Sequence, residues 1–390
     1  IYTGEDTLSL HDALPIYWWQ GNDHKPRIHT GIHSKTIRMK KIAILICCLV
    51  YQVVAQQAPK NIIFMVGDGM GVSQIYAGLT ANHGTLNLEQ FKVIGFHRNQ
   101  ASDNYVTDSA AGATAFATGK QTYNGAIGLD STQKPCVSLL ELAERKGLST
   151  GLVSTCDITD ATPSSFIAHQ KKRSMHEEIA ADFLKTDVEV VIGGGRKYFE
   201  KRQDKANLLD SLRKKNYHVL SDIPAMESVH SGKLVNLYAE ENPIKMSEGR
   251  GDALLKSSQK AIELLSKNKQ GFFVMIEGSQ IDWGGHANDA PYAIAEMIDF
   301  DKSIGWILEF AKKNKETLVI VTADHETGGM ALMGGNMKTG EVNAAFTTKG
   351  HTGQMIPVFA FGPGAEDFNG IYHNFDLFTK MRAALRLDQK

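Results

Sequence analysis

From Asn61 to Val66 the chain passes through five consecutive apolar residues and then stops at Gly67-Asp68-Gly69. A run without polar alternation suits a strand buried on both faces. Similar runs recur at 148–155, 188–192, 272–276, 318–322 and 356–361. Between them, 137–146, 252–267 and 293–312 carry apolar residues at helical spacing, and Gly147 is placed to end the first of these. Strands alternating with helices predict an α/β fold: a single large domain with a mostly parallel central sheet and helices on both faces. In such sheets ligands bind beyond the carboxyl ends of the strands. The residues that follow each apolar run are therefore the ones to read for chemistry.

The predicted domain spans 57–390, without an internal repeat or a low-complexity tract. Its segment 196–250 is more charged and polar, and reads as a peripheral elaboration. Residues 1–38 read differently from the rest. They have no sustained periodicity, and Leu8 to Ile16 resembles translated sequencing-adapter read-through, so this stretch is expected to be a non-native extension. Met39, Lys40 and Lys41 precede an apolar run over 42–54 and then Ala55-Gln56. This order predicts a signal peptide over 39–56 and a periplasmic or secreted protein. The apolar run is shorter than the roughly 20 residues a membrane-spanning helix needs, so no membrane association is expected after cleavage. Cleavage would leave Cys136 and Cys156, either bridged or as two buried thiols, and neither has zinc-site spacing. Lys plus Arg (42) nearly cancels Asp plus Glu (43), which leaves no global field to draw a nucleic acid partner.

Several strand ends carry metal-ligand residue types. Asp68 lies in a Gly-flanked turn, which taken alone is a common turn. Asp324 and His325 follow the run 318–322 and offer the oxygen and nitrogen ligands that suit zinc. Glu277, Asp282 and His286 follow 272–276; Asp282 and His286 are four apart and share a helical face. His351 stands in a Gly-flanked His-Thr pair. Asp160 and Thr162, two apart in an extended segment, would point the same way, and their hard oxygens favour magnesium; a plain N-cap at Thr162, ahead of Pro163, reads equally well. Ser109 opens a stretch of small residues that reads as a helix, and a helix N-terminus attracts phosphate. An N-cap serine fits the same pattern. No His–Asp partner for a hydrolase triad is evident, so activation would have to come from a metal. Gly193-Gly194-Gly195-Arg196 lacks the spacing of a nucleotide fingerprint and reads as a turn.

Assembled, these residues resemble the alkaline phosphatase family across 60–390. The resemblance rests on Val66-Gly67-Asp68-Gly69-Met70-Gly71, Val106-Thr107-Asp108-Ser109-Ala110-Ala111, Asp160-Ala161-Thr162-Pro163, Glu277-Gly278 through Asp282 to His286, Thr322-Ala323-Asp324-His325 and His351-Thr352-Gly353, in family order. It implies hydrolysis of phosphate monoesters through a phosphoserine on Ser109, with Arg173 clamping phosphate. It further implies two zinc ions and one magnesium per subunit, and a homodimer. One zinc would take Asp282, His286 and His351; the second Asp68, Asp324 and His325; magnesium would take Asp68, Asp160, Thr162 and Glu277. The sequence departs from the family at Trp283, where some members carry lysine or histidine, and in a short segment between Glu326 and Gly350. Competing readings are a related phosphodiesterase, sulfatase or phosphomutase, and an exported phosphate-binding protein without catalysis. The sulfatase nucleophile signature is missing, and Arg173 favours a monoester with two free oxygens.

Overall fold

The computed structural model describes residues 58–388; the expected extension 1–38 and signal peptide 39–56 lie outside the described residues. The strands, in chain order, are β1 (Asn61–Gly67), β2 (Val93–Arg98), β3 (Ser149–Asp157), β4 (Val190–Gly194), β5 (Tyr217–Leu220), β6 (Lys233–Leu237), β7 (Phe272–Gly278), β8 (Thr317–Thr322), β9 (Glu326–Thr327), β10 (Met330–Asn336), β11 (Glu341–Phe346), β12 (His351–Thr352), β13 (Ile356–Phe361) and β14 (Gly370–His373). Ten of them form one sheet in the order β14-β2-β13-β8-β1-β7-β3-β4-β6-β5. Only β13 runs against the others, pairing antiparallel with both β8 and β2. The predicted α/β architecture is therefore the one observed.

The apolar runs are continuous because both faces of the sheet are covered. Along β1, Ile62, Phe64 and Val66 join the core beneath the helices Ser109–Thr118, Leu139–Arg145, His176–Asp182 and Asp376–Ala384. Ile63 and Met65 join the opposite core, beneath Ala253–Leu265 and Ala290–Asn314. All five are fully buried, and each such side chain stabilises the fold by about 1.5–3 kcal/mol. β2 and β14 were not signalled by apolar runs, since these outer strands are only partly covered and carry polar residues such as His97 and Arg98. The hairpin β10–β11 pairs only within itself and leaves the sheet.

The charged segment 196–250 contributes β5 and β6 to the sheet edge, so it is continuous with the domain. Gly193 and Gly194 end β4, and only Gly195, at φ +87°, makes the turn that was expected of all three. The far end of the segment is anchored by a buried ion cluster. Arg250 reaches Glu296 and lies 3.0 Å from Asp299, both on the helix Ala290–Asn314, with all three side chains no more than 2% exposed. The Met246 N–H also donates to Glu296 at 2.9 Å. Removing one partner of such a cluster leaves uncompensated buried charge, which costs about 3–5 kcal/mol. Arg250→Ala should lose stability of that order in a denaturant melt, whereas a change below 1 kcal/mol, the range of an exposed pair, would show that the cluster is solvated.

Candidate active site

The central strands β8, β1, β7 and β3 all deliver their carboxyl ends to one edge of the sheet. Asp68 follows β1 in a turn that needs glycine. Gly69 sits at φ +73°, and a Cβ there would stand 2.6 Å from the Asp282 backbone. The turn is thus pressed against the helix Gln280–Ala287, which begins just after β7. Asp324 follows β8, and its Oδ1 accepts from the N–H groups of Gly69 (3.3 Å) and His325 (3.0 Å). One carboxylate therefore stitches two strand ends together.

Ser109 is the first residue of the helix Ser109–Thr118, and Asp108 is its N-cap, accepting from Ala111 N–H at 2.9 Å. The N-cap reading of Ser109 is therefore displaced by one residue, which frees its hydroxyl to point inward. Its Oγ lies 3.2 Å from His325 Nε2. That nitrogen is also 3.2 Å from Asp324 Oδ2 and 3.6 Å from Asp68 Oδ1. Asp68, Asp324 and His325 thus form one tight group, with ligand atoms within 4.8 Å of one another.

A second group of the same kind gathers Asp282, His286 and His351. The two imidazoles present Nε2 to Nε2 at 3.1 Å, and Asp282 lies 3.3 Å from His286 Nε2 and 3.6 Å from His351 Nε2. The opposite nitrogens are committed. His286 Nδ1 donates to the Lys349 carbonyl and His351 Nδ1 to the Thr107 carbonyl (2.9 Å). Thr327 Oγ1 donates to Asp282 and so accepts from His325 Nδ1 at 3.2 Å. All three histidines consequently turn Nε2 inward, the tautomer of a metal ligand.

Arg173 lies alongside, donating to Asp160 Oδ1 at 3.0 Å and reaching Asp108 Oδ2 at 3.4 Å. Asp160 itself is extended, at φ −70° and ψ 168°, but the expected extended segment stops there and does not reach Thr162. Asp160 caps the short helix Ala161–Ser164, which contains Thr162 and Pro163, because Pro163 within the first turn gives up no hydrogen bond. Thr162 is thus neither an N-cap nor placed by strand alternation; its Oγ1 is buried without a hydrogen-bond partner. Glu277, at the end of β7, accepts from the Cys156 thiol at 3.4 Å. Asp160 and Glu277 belong to neither of the two tight groups.

A sequence profile of the alkaline phosphatase family matches residues 59–344. The chain belongs to the alkaline phosphatase family. It is 33% identical over 404 aligned residues to alkaline phosphatase 4 of Bacillus subtilis, covering 81% of this chain and 87% of that one. It is 32% identical to alkaline phosphatase of Escherichia coli K12, covering 84% and 86%. The solved alkaline phosphatase from the Antarctic bacterium TAB5 superposes with a TM-score of 0.82 at 44% identity, over 85% of this chain and all of that one. This alkaline phosphatase is therefore an enzyme that hydrolyses phosphate monoesters.

The family implies bound metal, and the residues present fit it. Asp68 Oδ1, Asp324 Oδ2 and Thr162 Oγ1 are all buried without a hydrogen-bond partner, an expensive state for oxygen atoms that no cation satisfies. Burial, with Asp324 adding its charge, holds Asp68 well above the carboxylate range. Burial and the neighbouring Asp282 push Asp324 up to about 7, and burial pushes Glu277 to about 8. Burial also opposes ionisation of Asp282, but the His286 hydrogen bond and the surrounding imidazoles carry it down to about 2. The same bond raises His286 to about 9, while burial and His351 hold His325 well below its usual value.

Sequence reasoning passed over the residues that hold these groups in place. Glu326 is fully buried and accepts from Gln74 Nε2 (2.8 Å), Gly329 N–H (3.2 Å), Met330 N–H (3.0 Å) and the Thr352 hydroxyl. It fastens β9 and β12 together and so sets His351 against the other strand ends. The available signal was its place directly after Asp324-His325. Cys136 and Cys156 are both free, Cys156 buried and Cys136 only half-buried, so the expectation of two buried thiols holds for Cys156 alone.

The raised values make the metal-free protein sensitive to base. Asp324 and Glu277 ionise near pH 4 in an unfolded chain, so the folded state holds extra protons up to about 7 and 8, and His286 adds to this up to about 9. Stability then falls as pH rises through that window; the opposite contributions of Asp282 and His325 lie below about pH 6.5. Chelated protein should melt several degrees lower at pH 8 than at pH 6.5, and metal-loaded protein should show a smaller difference. Equal responses in thermal melts of the two forms would mean that the carboxylates are not relieved by cations.

Proposed function

We propose that this alkaline phosphatase works through a phosphoserine on Ser109, with Arg173 as the phosphate clamp, two zinc ions and one magnesium. Asp282, His286 and His351 would hold one zinc, and Asp68, Asp324 and His325 the other. Magnesium would sit among Asp68, Asp160, Thr162 and Glu277. The observation that carries the reading is the approach of Ser109 Oγ to His325 Nε2, beside two buried carboxylates and at the positive end of a helix. Bound divalent ions supply Lewis acidity and positive charge at the reacting oxygens.

The chain's own groups account for the rest. Ser109 Oγ attacks phosphorus, the bond to the ester oxygen breaks, and the alcohol departs with that electron pair and gains a proton. The serine proton is lost to solvent. Water then attacks the phosphoserine, its P–Oγ bond breaks, and Ser109 recovers its proton as inorganic phosphate leaves. Arg173 offers two parallel N–H donors to the non-bridging oxygens, a fit that a lysine point charge lacks. The free N–H groups at the start of the helix Ser109–Thr118 favour the same dianion. Most of the rate enhancement then comes from positioning and electrostatics.

The residue order over 39–56 supports export to the periplasm or medium, and the family resemblance supports a homodimer. Among the described residues no helix is long and apolar enough to cross a membrane.

Acid quenching during turnover of p-nitrophenyl phosphate, followed by peptide mass spectrometry, should recover phosphate on Ser109. Ser109→Ala should abolish that adduct and most activity while zinc and magnesium content stay unchanged; full activity in this variant would end the covalent route. Arg173→Ala should weaken inhibition by inorganic phosphate and slow hydrolysis without abolishing it, since each lost charge-assisted hydrogen bond is worth about 1.5–3 kcal/mol. Unchanged phosphate inhibition would remove Arg173 from the site.

A further inference from the structure

Arg173 needs a fixed geometry to present two donors, and beyond its pairs with Asp160 and Asp108 it is partly open to solvent. Its backbone N–H donates to the Gly125 carbonyl at 2.8 Å, but its side chain is 36% exposed. One flank opens onto a polar cavity of about 310 Å3 that Asp160, His176, Tyr198 and Asn242 also line. Apart from the Tyr198 ring, the side chains lining that cavity are polar.

A directed chain of hydrogen bonds runs along the cavity wall. Thr159 Oγ1 donates to Asp157 Oδ1 at 2.9 Å, so it accepts from His176 Nδ1, also at 2.9 Å. Nδ1 therefore carries the proton, and it lies 3.5 Å from Asp157 Oδ2 as well. Asp157 is the buried last residue of β3 and accepts in addition from Thr159 N–H at 2.8 Å. Its own N–H donates to Asn242 at 2.8 Å. On the other side the His176 ring stacks on Tyr198, with centroids 4.5 Å apart and planes within 12°, which blocks rotation of the imidazole. His176 is three residues after Arg173, and Thr159 immediately precedes Asp160. The Arg173–Asp160 ion pair and the His176–Thr159 bond thus join the same two segments at two points.

We propose that His176 is a positioning residue for the phosphate clamp: by tying the 173–176 segment to the Thr159-Asp160 turn, it holds Arg173 in the orientation that meets two phosphate oxygens. This rests on the reading of Arg173 as the clamp. An untied arginine must be ordered when phosphate arrives, and that cost falls on binding rather than on bond breaking.

The test uses the metal-loaded enzyme, with inorganic phosphate and p-nitrophenyl phosphate as probes. His176→Ala and Thr159→Val each remove the same bond. Each should raise the phosphate inhibition constant and KM about three- to ten-fold, the worth of one hydrogen bond, with a smaller fall in kcat. His176→Asn, whose amide N–H can stand where Nδ1–H stands, should restore most of the affinity. In an Arg173→Ala background, His176→Ala should add nothing further, because the two act through one contact. Unchanged phosphate inhibition in Arg173→Ala would sink the clamp itself. Weakened inhibition in Arg173→Ala, with none in His176→Ala and Thr159→Val, would overturn the positioning role alone. So would full additivity in the double variant, or a lowered Tm with phosphate binding intact.

Discussion

Four carboxylates, those of Asp68, Glu277, Asp282 and Asp324, are buried together at the carboxyl edge of one sheet. Like charges in a low-dielectric setting repel strongly, and desolvation adds to the cost. The three inward-facing imidazoles relieve Asp282, but they do not relieve Asp68, Asp324 or Glu277. Retained protons relieve this cluster up to about pH 7, and bound cations would relieve it above that, while the surrounding scaffold keeps the acidic groups from moving apart.

That scaffold works by crossing strand ends. Asp324 holds the Gly69 turn, Thr327 links His325 to Asp282, and Glu326 fastens the segment bearing His351 to the segment bearing His325. The Asp324–Gly69, Thr327–Asp282 and Glu326–Thr352 bonds each join elements distant in sequence, so no single loop can relax without disturbing the others. Beneath them, the two buried helical layers and the Arg250 cluster anchor the periphery to the same sheet. Rigidity of this sort suits a reaction in which charge moves over short distances and the catalyst gains most from groups already in place.

The two sides of the site are built differently. The group of Asp68, Asp324 and His325 is buried and interlocked, whereas His286 in the second group and Arg173 are both partly open to solvent, Arg173 beside a polar cavity. In the clamp role proposed for it, Arg173 would be better held by a few directional hydrogen bonds than by packing, because such bonds fix its orientation without enclosing the ligand.

Much of this was legible in the chain itself. Unbroken apolar runs such as 62–66 and 318–321 suit burial on both faces, and their alternation with helical segments implies a mostly parallel sheet with its chemistry at the carboxyl ends. The i, i+4 spacing of Asp282 and His286 likewise sets them on one face of a helix. The tertiary structure decided what depends on contacts distant in sequence. It turned the Asp160–Thr162 segment into a helical turn, passed the N-cap from Ser109 to Asp108, and added β2 and β14 as half-covered outer strands that periodicity could not signal. It also chose which nitrogen of each histidine faces inward, and it brought His176 to Thr159. Local pattern reports burial and backbone preference; the direction of a side chain is set by partners that only the folded chain places beside it.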